Sequence, residues 1–312
     1  MGPSDAGNQR AGPDHGSSGP LAARLVMTSA RSGRTQPGVA APAVDPGKTG
    51  SMERDLALGV VAEEAERILN LARGAGSSAG ELRPPACPAW TLSDLVSHLG
   101  RVYAMVVTAI DTGPAGTLER SAVPRRPEHQ DPADWIEERL AIMLDSLRSL
   151  PDTARCWNFV DGPGGPIGFW WRRQAHETLI HRVDAEQACG LPVTPAPSEV
   201  AADGISELLS LAGLREVRFD QLELGEEMSL HLHATDAAGA EWTIDTGQRT
   251  YATAHAKADV AVRGPAFALD LWCWRRGTAR PSGGLPGSLP SLVDEVSAFG
   301  DVTAAEEWLP AL

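Results

Sequence analysis

H-E-T-L-I-H-R-V-D-A-E occupies residues 176–186. At about 100° per residue on a helix, Glu177 and His181 are nearly superimposed on one face, and Asp184 falls on the same stripe. Ala175, Leu179 and Val183 lie toward the opposite side. The helix is predicted to run from about Phe169 to Ala188, with Gly190 and Pro192 terminating it. What this stretch packs against decides the fold.

Upstream, three further segments carry a helical rhythm. From about Glu53, the residues Leu58, Val61, Ala62, Ala65, Ile68, Leu69 and Ala72 form an apolar stripe that Gly74 and Gly76 stop. A loop with Pro84, Pro85 and Pro88 follows, and T-L-S-D (91–94) reads as a capping box opening a second helix. Its stripe is Leu92, Leu95, Val96, Leu99, Val102 and Val106. Pro132 suits the first turn of a third helix, striped by Ile136, Leu140, Met143, Leu144 and Leu147. D-G-P-G-G-P-I-G (161–168) is predicted to be a loop. Four amphipathic helices with polar connections read as a helical bundle.

Downstream of Pro195 and Pro197 the texture changes. One helix (Glu199 to Leu211) precedes strand-like segments at Met228–Thr235, Glu241–Asp245, Thr250–His255 and Asp259–Val262. An apolar helix from Pro265 to Trp274 follows, and 283–290 is another irregular loop. Strands beside helices without regular alternation predict a mixed α+β domain. The expected division is a disordered tail over 1–52, a helical bundle over 53–195 and an α+β domain over 196–312. The tail contains no Phe, Trp or Tyr and cannot bury enough apolar surface to order itself. An over-extended reading frame whose true start is Met52 is the competing explanation, and either way the segment is expected to be disordered.

The charge balance narrows the function. Among 312 residues, 41 acids against 27 bases give a net charge of −14, which argues against a nucleic-acid or anionic-membrane partner. No apolar run approaches the roughly 20 residues needed to span a bilayer. The scattered cysteines Cys87, Cys156, Cys189 and Cys273 predict reduced thiols in a cytoplasmic protein.

Carboxylate and imidazole stacked on one helix face suit a metal ion, although such a pair is also common on exposed surfaces. His98 borders the buried stripe of the second helix. It reads either as a core-edge histidine or, if helices two and four face each other, as a third ligand beside Glu177 and His181. Three protein ligands leave one coordination position open, as catalytic metals require. Arg182 reads as a contact for an acidic substrate or as a salt bridge to Glu186. Asp184 reads as a partner orienting an imidazole, or as a surface ion pair. His176 projects about 100° from Glu177 and is excluded as a ligand. Cys87 reads better as packing than as a nucleophile. Trp157, Trp170 and Trp171 fit aromatic packing, or a pocket wall. His231 and His233 share one strand face, but no carboxylate at suitable spacing accompanies them.

Taken together, C-P-A-W-T-L-S-D-L-V-S-H-L (87–99) and W-R-R-Q-A-H-E-T-L-I-H-R-V-D-A-E (171–186) resemble the mycothiol-dependent maleylpyruvate isomerase family. H-L-H-A-T-D (231–236) and A-D-V-A-V-R-G-P-A (258–266) resemble that family's C-terminal region. The resemblance implies a DinB-like metal-binding four-helix bundle followed by a sterol-carrier-like α+β domain. It implies that His98, Glu177 and His181 hold a divalent metal, usually zinc, with mycothiol as cosubstrate. A small electrophile would be the other partner, in a monomer or homodimer, for cis-trans isomerisation or S-transfer. Two rivals stay open: a non-catalytic metal- or thiol-binding sensor or interaction module, and a zinc hydrolase using water in place of the thiol.

Overall fold

Four long helices form the first part of the chain in the computed structural model, which describes residues 52–213, 227–248, 250–277 and 296–308. Helix α1 (Arg54–Ala75) buries Leu58, Val61, Ala65, Ile68, Leu69 and Ala72, and Gly76 at φ +52° closes it. Helix α2 (Leu92–Thr112) opens on the expected capping box. Thr91 Oγ1 accepts from the Asp94 backbone N–H, and the Asp94 carboxylate accepts from the Thr91 backbone N–H. Helix α3 (Pro132–Ser149) starts with its proline in the first turn and Asp131 as cap. Helix α4 (Gly168–Ala188) lies along α1, and α2 lies along α3.

The α2–α3 approach depends on Gly100, where a Cβ would stand 2.3 Å from the buried Trp135 indole. Gly100→Ala should therefore destabilise the protein by about 1–3 kcal/mol through overpacking, despite alanine's better helix propensity. A lowered urea midpoint at unchanged slope is the expected reading.

Two features of this half correct the sequence expectation. The 161–168 stretch is not all loop. Strand β1 (Arg155–Asn158) pairs antiparallel with β2 (Gly162–Pro166), with a register shift between Cys156 and Asn158. The Asn158 side chain accepts from the backbone of Val160 and Asp161, which ties the turn. Prolines are tolerated because a two-stranded ribbon has only edges. Second, α4 is not amphipathic. Every residue from Arg173 to Glu186 is buried, polar and apolar alike. The helix is enclosed by other elements, and its charged side chains are paired with buried counter-charges.

The second part begins with α5 (Ser198–Gly213) and is built on a five-stranded sheet of order β5-β4-β3-β6-β7. Its strands are β3 (Ser229–Ala234), β4 (Glu241–Asp245), β5 (Thr250–Ala252), β6 (Val260–Gly264) and β7 (Ser297–Phe299). Strands β3 and β6 run parallel, and the other neighbours antiparallel. Leu230, Leu232, Trp242, Ile244, Val260 and Val262 alternate onto one buried face. Helix α6 (Ala266–Cys273) packs on α5, β3 and β6. The chain is thus a helical region followed by a strand-containing region, the expected class.

Some details depart from expectation. Strand β5 ends at Ala252 rather than His255, because the chain turns there through the bond from Ala254 N–H to Ala252 O. Strand β7 and helix α7 (Val302–Trp308) were not predicted. Met52 does not belong to a tail, since it is buried in the core. Residues 1–51 and the expected loop at 283–290 lie outside the described residues. No helix among the described residues is long and apolar enough to cross a membrane.

Candidate metal centre

Helices α2 and α4 are pinned together where the buried Tyr103 and Thr178 hydroxyls meet at 2.9 Å. This contact fixes which residues of the two helices face each other. His98 of α2 arrives opposite the i, i+4 pair of α4, with its Nε2 3.1 Å from Glu177 Oε1. His181 Nε2 lies 3.4 Å from the same oxygen. The two imidazole centroids are 5.2 Å apart, edge to face. One donor atom from each of the three residues falls within 4.8 Å of the others.

This arrangement fits a metal ion. Two ring nitrogens crowd onto one carboxylate oxygen, a poor use of hydrogen bonds. Yet ligands on a tetrahedral ion at ~2 Å stand about 3.3 Å apart, close to these spacings. Imidazole and carboxylate suit several divalent transition ions.

An outer layer holds each group in place. Arg173 Nη2 donates to Glu177 Oε2, leaving Oε1 for the imidazoles. Arg173 Nη1 in turn reaches Glu207 Oε2 of α5 at 2.5 Å. His181 Nδ1–H donates to Asp184 Oδ2 at 2.9 Å, which directs Nε2 toward the cluster. Arg276, just beyond α6, donates to both Asp184 oxygens at 2.9 and 3.1 Å. Trp90 stands beside the cluster, 4.8 Å from the His98 ring and 6.2 Å from that of His181.

The charges divide sharply. Burial works against ionisation of Glu177, but Arg173 and both imidazoles hold its carboxyl well below the usual range. Burial pushes the His98 imidazole down despite its bond to Glu177. Burial opposes His181 too, yet Asp184 and Glu177 lift it to about 9. Asp184 is desolvated, but Arg276 and His181 bring it to about 2. At neutral pH the cluster therefore holds one imidazolium, at His181, and a neutral ring at His98. An incoming cation would displace the His181 proton.

The other sequence candidates divide between the cluster and the rest of the fold. Arg182 makes its hydrogen bonds outside the cluster. It is fully buried, donating to Glu64 at 2.5 Å, and to Glu186 and the Thr194 carbonyl at 2.7 Å each. The salt-bridge alternative describes it. Asp184 is a buried partner of His181 rather than a surface ion pair. His176 binds Asp203 at 2.7 Å, away from the ligand stripe. Cys87 is buried, and burial followed by the charge of Asp184 pushes its thiol up to about 12, which suits packing. Trp170 donates to the Trp157 carbonyl and packs on Phe159 and Phe169. The ring at the cluster is Trp90, which directly precedes the capping Thr91. Arg173, Trp90 and Arg276 were missed. Only Arg173 carried a local signal, standing four residues before Glu177.

The expectation that His231 and His233 lack a carboxylate is wrong. Glu241, on the neighbouring strand, pairs with His233 in register and lies 3.0 Å from His231. Cross-strand pairing supplies the partner that spacing along one strand could not reveal.

A helical bundle that gathers two imidazoles and a carboxylate from facing helices, followed by a strand-containing region, defines the structural class. Residues 61–186 match the family model for the mycothiol maleylpyruvate isomerase N-terminal domain. No curated protein matches the chain. Among solved structures, the chain is similar to the crystal structure of the mycothiol-dependent maleylpyruvate isomerase, at TM-score 0.52 and 15% identity. That match covers 79% of this chain and 93% of the other, and it establishes a shared fold. A histidine-to-alanine mutant of that isomerase aligns at TM-score 0.49 and 14% identity, over 71% of this chain and 88% of that one.

Proposed function

We propose that this protein is a metal- and mycothiol-dependent enzyme of the isomerase type, with His98, Glu177 and His181 holding a divalent ion, zinc by preference. The observation that carries this reading is the convergence of two imidazole nitrogens on one carboxylate oxygen, inside the segment that matches the mycothiol maleylpyruvate isomerase N-terminal domain. The ion would supply charge that keeps a thiol ionised near neutral pH, where a free thiol of pKa ~8.5 is mostly protonated.

The chain's own groups prepare that site. Asp184 holds His181 in one tautomer and orientation, and Arg276 keeps Asp184 ionised. Arg173 turns one Glu177 oxygen away from the imidazoles. Trp90 packs beside His98, with ring centroids 4.8 Å apart. The substrate chemistry then needs only a thiolate and an electrophilic carbon. With a cis enedioate, a carbon–sulfur bond forms and the double-bond electrons move onto the conjugated carbonyl. Rotation about the resulting single bond and expulsion of the thiolate restore the double bond as trans. With a leaving group on that carbon, the same thiolate would give S-transfer.

The test is turnover of maleylpyruvate, alongside a panel of small electrophiles, by zinc-loaded protein with and without mycothiol. Turnover that requires both zinc and mycothiol supports the reading. Turnover that persists without mycothiol, or after chelation, overturns it.

A further inference from the structure

Strand β3 presents two different faces. Leu230, Leu232 and Ala234 point into the core, while His231 and His233 alternate onto the other face. Glu241 of β4 shares that second face and sits among three imidazoles. His231 Nε2 lies 3.0 Å from its Oε2, His255 Nδ1 2.6 Å from the same oxygen, and His233 Nε2 3.9 Å from Oε1. The His255 ring stands edge-on to His231 at 4.9 Å, and His231 is only 6% exposed. Ligand atoms of His231, Glu241 and His255 all lie within 4.8 Å of one another. An exposed histidine–glutamate pair contributes little, and a single pair does not explain why three rings gather on one carboxylate.

We propose that His231, Glu241 and His255, with His233 completing the set, form a second site for a divalent late-transition ion, separate from the α2–α4 cluster. Three imidazoles and a carboxylate are a full tetrahedral complement, the closed kind of site that holds structure rather than turning over substrate. His255 is 74% exposed and lies in the segment after β5, so it can turn to open the 2.6 Å contact toward ligand spacing. Bound there, the ion would tie the 253–259 segment to the sheet. Nothing in this proposal depends on the activity proposed above.

Zinc titration of the full chain by calorimetry tests it, with His98→Ala/His181→Ala removing the first cluster. The double variant is expected to take up one equivalent at micromolar protein, and adding His255→Ala or Glu241→Gln should abolish that uptake. Because His181 is buried, the unsubstituted protein gives a second measurement. Zinc should shift the ring-nitrogen resonances of His231 and His255, and His255→Ala should remove the His231 shift. No uptake by a folded double variant, uptake indifferent to His255→Ala, or binding only at millimolar zinc would overturn the site. One equivalent bound by the double variant and lost with His255→Ala would sustain this site, whereas an unsubstituted chain that binds no more than that one equivalent would count against the first.

Discussion

Glu177→Gln is expected to abolish the response of the cobalt-loaded protein to mycothiol. In the unsubstituted chain, sulfur entering the coordination sphere of an ion at His98, Glu177 and His181 should alter the visible cobalt spectrum. The variant keeps the size and buried setting of the side chain, and Arg173 retains Glu207 as a counter-charge. Loss of the anionic ligand should therefore weaken the ion by more than the ~100-fold that loss of an outer partner can cost. Turnover should fall to the level of the chelated protein, and the urea midpoint should move much less than turnover does. An unaltered cobalt response in the variant would refute Glu177 as a ligand.

Asp184→Asn is expected to act through both stability and protons. It removes the one carboxylate between two buried cations, Arg276 and the His181 imidazolium. Breaking a buried pair by removing one partner costs about 3–5 kcal/mol, so metal-free protein at pH 7 should show a much lower urea midpoint. The protons follow from His181. Its pKa is raised to about 9 in the folded chain, above the ordinary imidazole value of about 6.5. In metal-free protein its stabilising contribution is complete below the unfolded value and is lost as pH rises through about 9. Ion uptake within that window should release close to one proton, so apparent affinity should climb with pH and level off near 9. Asp184→Asn should move that plateau toward the ordinary imidazole range. Calorimetry in buffers of different ionisation enthalpy counts the proton, and an unchanged plateau would separate Asp184 from the centre.

Much of the helical half was legible because its signals are local. The Thr91–Asp94 capping box, the proline opening α3 and the apolar stripe of α1 each lie within a turn or two of the structure they specify. Glu177 and His181 were legible for the same reason, and His98 followed once two helices could face each other. The rest depends on distance along the chain. Arg276 lies 92 residues from the carboxylate it neutralises, and Glu241 meets His231 only through strand pairing. The 162–166 strand was hidden because glycine and proline carry no strand propensity, and its turn is held by the Asn158 side chain instead. The burial of α4 on all sides was hidden as well. Its charges look like a solvated face until Glu64, Glu207 and Arg276 arrive from elsewhere.

That enclosed helix has a consequence for anyone rebuilding this chain. Its cations and anions are matched to counter-charges from α1, α5 and the turn after α6. Transplanting α4 alone into another scaffold would carry Glu177 and His181 across and leave His98 and their electrostatic surroundings behind. The smallest portable unit is therefore the helix together with His98, Glu64, Asp203, Glu207 and Arg276, a set gathered from both halves of the sequence.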